Sequence, residues 1–87
     1  MKTPQLGETV VFCDPKGKDF DALITAVWSD TCINVVFVSG DESRQDSYGR
    51  QVERSTSVPH VSESSVHGLY WRFEDEERNP YKAPQQV

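Results

Sequence analysis

Two runs rich in β-branched and aromatic side chains, Phe20–Trp28 and Cys32–Val38, are separated by only three polar residues, Ser29-Asp30-Thr31. A gap that short has no room for a crossover, so the two runs must pair antiparallel as a β-hairpin. No other feature constrains the fold as strongly. The first run alternates Ala22, Ile24, Ala26 and Trp28 against Leu23, Thr25 and Val27, so both of its sides carry apolar residues. Alanine and leucine would favour a helix in this window, but the β-branched residues and the bounding turns favour a strand. A strand apolar on both sides suits a small, strongly curved barrel in which it is packed nearly all round.

The flanking sequence extends this hairpin. A first strand is expected over residues 8–13, Glu-Thr-Val-Val-Phe-Cys, closed by Asp14-Pro15-Lys16-Gly17-Lys18. In that turn Pro15 presets φ, Gly17 can take φ > 0, and the Asp14 side chain can bond the backbone two residues on. Residues 39–50 hold one aromatic, Tyr48, and no aliphatic residue, which predicts a long exposed loop. A polar fourth strand over 51–58 ends at Pro59-His60 and reads as an edge. After a serine-rich connection over 61–68, a closing strand is expected over 69–73, with Leu69, Trp71 and Phe73 on one side and Tyr70 and Arg72 on the other. The whole is a mainly β chain of 87 residues, one domain. A chain of this size buries only about 60% of the surface its unfolded form exposes, which leaves little room for a deep, dry active site.

The pattern Gly7-x-x-Val10-x-Phe12-x-Asp14-x-x-Gly17, then Ala22 to Trp28, Cys32 to Phe37, Val58-Pro59 and the aromatic close Tyr70-Trp71-x-Phe73, resembles a group of small bacteriophage proteins of unknown function predicted to form SH3-like barrels. The resemblance spans residues 7–75. That group usually closes on Thr-Trp-His-Trp-Pro-Glu, whereas this chain reads Leu69-Tyr70-Trp71-Arg72-Phe73-Glu74, keeping the aromatic alternation without the histidine and proline. The resemblance implies a phage origin and a five-stranded SH3-like open barrel over 7–75; the flanking residues themselves read as a polar leader over 1–6 and an acidic, proline-containing tail over 76–87. It implies no activity and carries no catalytic residue.

Acidic residues outnumber basic ones, 14 to 9, for a net charge of -5. Nucleic acid is bound through basic patches that displace counterions, so direct nucleic-acid binding is not expected. No run approaches the roughly 18 apolar residues of a membrane helix, and no apolar signal core follows Met1-Lys2-Thr3-Pro4-Gln5. The expected location is the cytoplasm of the infected host cell, with the virion as the alternative.

Catalytic chemistry finds little support. Structural zinc sites favour paired ligands at short spacing, whereas Cys13 and Cys32 are 19 residues apart and His60 and His67 are 7 apart. The cysteines sit in apolar strands, where a thiol behaves as a small hydrophobe. Ser57, His60, Ser62, Glu63, Ser65 and His67 supply the residue types of a nucleophilic site, but in a serine-rich connection that reads as polar surface. The run Glu74-Asp75-Glu76-Glu77 reads as a solvated face. The expectation is a non-enzymatic protein without metal or cofactor.

Binding is the remaining role, through a protein partner. Trp28, Tyr48, Tyr70, Trp71 and Tyr81 are the candidate anchors, since large rings supply contact area at low entropic cost. For Trp28, Trp71 and Phe73 core packing is the favoured alternative. Tyr48 stands alone in a polar loop, flanked by Arg44 and Arg50. Three roles follow: an interaction module, a virion head or tail component, or an acidic host-takeover inhibitor using Glu74, Asp75, Glu76 and Glu77 with Asp41, Glu42 and Asp46. Monomer and edge-paired dimer are both open, with Glu53 and Arg54 of the fourth strand blunting its edge.

Overall fold

A computed structural model describes residues 3–63 and 69–76. The strands are β1 (Thr9–Cys13), β2 (Asp19–Val27), β3 (Cys32–Val38), β4 (Gln45–Asp46), β5 (Gly49–Arg50), β6 (Val52–Pro59) and β7 (Tyr70–Arg72). Five of them form one antiparallel sheet in the order β6-β3-β2-β1-β7, while β4 and β5 pair only with each other. The expected hairpin is β2–β3, and the turn before it folds as its sequence predicts. Asp14 Oδ1 accepts the amides of Lys16 and Lys18, each at 2.9 Å, and Gly17 takes φ +90°. Within the leader Pro4 is fully buried.

Two bulges curl the sheet. Ile24 faces Val35 and Ala26 faces Asn34, so Thr25 is an extra residue on β2. On the other flank Val35 faces Ser55 and Ile33 faces Val58, so β6 carries surplus residues opposite Asn34. Ser57 in that second bulge adopts φ +53°, and Asn34 Oδ1 accepts its amide at 2.8 Å. Bulges bend a strand and tighten its twist. Placed on either side of the same stretch of β3, they fold the sheet into a half-barrel whose two ends meet where His60 bridges Trp71.

The first bulge also resets the alternation of β2. Ala22 and Ile24 point inward, but beyond Thr25 the phase flips. Val27 then packs on the core, and Trp28 turns outward to 64% exposure instead of joining the core. Its Nε1 donates to Asn34 Oδ1 at 2.8 Å. Leu23, on the outer face, is 47% exposed, so β2 is not packed all round.

The core joins Val10, Phe12, Ala22, Ile24, Ile33, Val35, Val58, Trp71 and Phe73. Tyr70 is also fully buried, in a second cluster with Cys13 and Val61. β7 is covered on both faces because the chain after β6 folds over it, with the Val61 amide donating to the Trp71 carbonyl at 2.8 Å. Tyr70 is therefore a core residue and not a partner-binding one. Truncating Ile24 to Ala should cost about 2–5 kcal/mol of stability, and the same truncation at Leu23 about 1 kcal/mol or less. Urea denaturation of the two variants checks the contrast.

Candidate functional site

The predicted 39–50 loop is exposed, but it is not irregular. It rises from the end of β3 as an arm containing the β4–β5 hairpin, where Gln45 faces Arg50 and Asp46 faces Gly49. Ser47 and Tyr48 form its tip, and Asp46 Oδ1 accepts the Tyr48 amide at 2.8 Å. Gly49 at φ +111° completes the turn with a conformation side chains rarely take. Tyr48 is 98% exposed, so its ring packs on nothing among the described residues.

The arm is anchored at its root. Ser39 is buried; its hydroxyl donates to Glu53 Oε2 and accepts the Asp41 amide at 3.1 Å. Arg50 Nη1 donates to the Ser39 carbonyl at 2.9 Å, and Arg44 Nε lies 3.9 Å from Glu53 Oε2. Backbone bonds join Ser39 to Gln51 and Gln51 to Arg44. Both arginines that flank Tyr48 are thus turned back on their own chain. Ser39, the residue that gathers these contacts, carried no sequence signal beyond sitting at the end of an apolar run.

Beside this root a groove of about 640 Å³ opens among the described residues, at the mouth of the half-barrel. Its floor is aromatic. Phe12 and Phe37 stack with centroids 4.7 Å apart, and Phe20 tilts against Phe37 at 4.8 Å. Leu69, Gly40, Asp41, Glu53, Arg54 and residues of the Asp14 turn are also in the lining. These phenylalanines were not among the expected anchors. Phe12 and Phe20 converge only because β1 and β2 pair them directly. A second, shallower apolar depression of about 310 Å³ lies on the outer face at Leu23, Val36, Val38 and Val52.

The other expected anchors do not join the arm. Trp28 is exposed at the opposite end of β3, where its amide bonds the Cys32 carbonyl. Glu74 and Asp75 are exposed in the turn after β7, while Glu77 and Tyr81 lie outside the described residues. Glu76 is not part of a free acidic face. Its Oε1 accepts the Phe73 amide at 2.8 Å and stands 2.8 Å from His60 Nε2.

His60 itself is buried, not part of a surface loop. Its Nδ1 accepts the Ser62 amide at 3.1 Å and lies 2.9 Å from Ser62 Oγ. The proton then sits on Nε2 and is donated to Glu76. Serine, imidazole and carboxylate stand in hydrogen-bonding series, the order of a nucleophile and its base. The Nδ1 lone pair, however, is already taken by Ser62's own amide, and neither groove is lined by these residues. The series works as a clasp that ties the end of β6 to the turn after β7. Among the described residues no three His, Cys, Asp and Glu side chains form a metal-holding group, and Cys13 (buried) and Cys32 (half-buried) are not joined in a disulfide.

Compared with family models, curated proteins and solved structures, the chain matches none. Among the described residues no helix is long and apolar enough to cross a membrane.

Glu76→Ala should cost about 1–3 kcal/mol by stranding the Phe73 amide and His60. Glu76→Gln should cost less, because its amide oxygen still accepts; urea midpoints decide. In the arm, the Ser43 hydroxyl, then the Ser43 amide, hold the Asp41 carboxyl below its ordinary 3.8, with Arg44 and Arg50 adding to the effect. A depressed folded pKa means that the turn's support is whole above the unfolded value and is lost as pH falls through the folded one. The Ser43 amide resonance should therefore titrate with a midpoint below 3.8, the ordinary value of the carboxyl.

Proposed function

We propose that this chain is a non-enzymatic protein-interaction module that docks through the Tyr48 arm. The exposure of Tyr48 carries the reading. Folding leaves a large amphipathic ring in water on a hairpin whose turn and root are both held by hydrogen bonds. Tyrosines are enriched among the residues that dominate binding energy, and a preorganised loop loses less entropy when it docks. The SH3-like assignment, the phage origin and action in the cytoplasm of an infected cell belong to the same proposal. They rest on the resemblance of the 7–75 pattern to the phage group, and the half-barrel form is compatible with it.

The acidic-inhibitor role has weaker support. Glu76 is held by His60, and Asp41 by Ser43. Of the other acids named for that role among the described residues, Glu42 and Asp46 are exposed on the arm and Glu74 and Asp75 in the turn after β7.

Tagged protein and its Tyr48→Ala variant should be compared as baits in host lysate at low and high salt. The substitution should abolish stoichiometric capture while leaving the thermal midpoint unchanged. Capture that ignores Tyr48 would refute the arm as the docking element, and loss at high salt alone would favour the acidic role.

A further inference from the structure

We infer that a second copy of this chain covers the outer face of β2, β3 and β6, the two sheets meeting about a two-fold axis that sets Asp21 of each copy against Arg54 of the other. The Tyr48 arm takes no part in this contact. Strand register puts Thr9, Leu23, Val36 and Arg54 in one cross-strand row. The next row on the same face carries Asp21, Val38 and Val52, each two residues along its strand. Six large apolar side chains are exposed among the described residues, and three of them, Leu23, Val38 and Val52, meet here around the depression of about 310 Å³. A fourth, Trp28, lies farther along the same face, bonded to Asn34. Apolar residues scattered singly over a surface are ordinary, but a cluster on one sheet face marks a contact surface.

Two charges frame this cluster. Asp21 and Arg54 are both exposed, in different rows and on strands separated by β3, so they hold opposite corners with Leu23, Val36 and Val38 between them. Among the described residues neither forms an ion pair. Arg54 belongs to this face although its strand borders the phenyl groove. It faces Val36, whereas its neighbours Glu53 and Ser55 face Phe37 and Val35 and point inward. Arg72, at the far end of the Asp21 row, is taken up by Asp19.

One acid and one base at opposite corners of an apolar centre make the face complementary to itself. A strongly acidic or strongly basic partner would leave one of the two opposed by like charge. A second copy answers both at once, because a two-fold axis lying between the faces exchanges the corners. It also lays the Leu23, Val36 and Val38 centres of the two copies on one another. Packed sheet faces stand about 10 Å apart, a gap that aspartate and the long arginine side chain bridge from opposite sides. The chain carries a net charge of -5, so its copies repel unless neutral surfaces meet, and the free charges of this face cancel. The resulting contact has an apolar centre and a charged rim, and as an isologous pair it closes without growing further.

Sedimentation of the full chain over a wide range of concentrations tests this. A reversible monomer–dimer equilibrium is expected, with no larger species. Asp21→Arg and Arg54→Asp should each weaken it by roughly 30-fold or more, since each reversal sets like charges together twice in every dimer. Both variants alter exposed side chains, and circular dichroism at low concentration confirms that they fold. The decisive sample is an equal mixture of the two. One variant then offers two arginines and the other two aspartates, so the mixture should form a one-to-one dimer more tightly than either variant pairs with itself. A monomer at every concentration, a dimer indifferent to both reversals, or a mixture no tighter than its parts would overturn the inference. So would a monomer from which Arg54→Asp removes capture of another protein, because the face then serves that partner. Tyr48→Ala should leave the equilibrium unchanged; its loss in that variant would move self-pairing to the arm and overturn the pairing through this face. The arm's own reading stands or falls separately, on capture of a partner by Tyr48.

Discussion

Trp71 is where the ends of the sheet meet. Its backbone pairs with Phe12 on β1 and bridges His60 beyond β6, so one residue links both edge strands. Its ring lies against His60 at 4.6 Å and Phe73 at 4.9 Å, both edge-on. Its Nε1 donates to the Thr31 carbonyl at 3.1 Å, and the His60 amide donates to the same oxygen at 2.7 Å. The turn of the central hairpin is thereby fastened to both edges. A buried indole N–H needs a partner, and here the partner is what holds the half-barrel shut. The His60–Glu76 clasp and the Arg72 bonds to Asp19 and to the Glu76 carbonyl secure the same closure from outside.

Closure at one end leaves the other end open. The two bulges beside Asn34 concentrate curvature near the Thr31 end of β3, while its far end stays paired on both sides through Phe37. There Phe12, Phe20 and Phe37 pack together, and the chain leaves the sheet to build the arm, so the groove and the arm share that end of the sheet. The molecule spends its aromatic residues in two ways: Trp71, Tyr70 and Phe73 pack the closed end, while the phenyl trio floors the open one. Gly40 crosses the groove edge so near the Phe20 ring that a Cβ there would stand 3.1 Å from it, which ties the arm's origin to the groove wall.

Polar groups in this small domain act mostly as fasteners. Asp14, Ser39, Asp41, Asn34, His60 and Glu76 each gather two or more hydrogen bonds from turns, bulges or strand ends. With so little apolar area to bury, order at turns and at the arm has to come from such local bonds. Of the serine and histidine residues that suggest catalysis, His60 and Ser62 take this role.

Local chemistry was enough to read β1, the β2–β3 hairpin, the Asp14 turn, the polar edge strand and the closing aromatic strand, because each depends on neighbours a few residues away. Tyr48 was legible as a binding candidate for the same reason: a lone ring in a polar stretch has no core within reach. The sequence could not announce the bulge at Thr25, since a one-residue slip is a matter of pairing across strands, and that slip alone sent Trp28 outward and Val27 inward. Nor could it reveal that Tyr70 would be covered on both faces, that Glu76 would leave the acidic run to hold His60, or that Phe12, Phe20 and Phe37 would converge. Those outcomes join residues far apart in the chain. Alternation along a strand says which side chains share a face; only the register and curvature of the assembled sheet decide which face is inside.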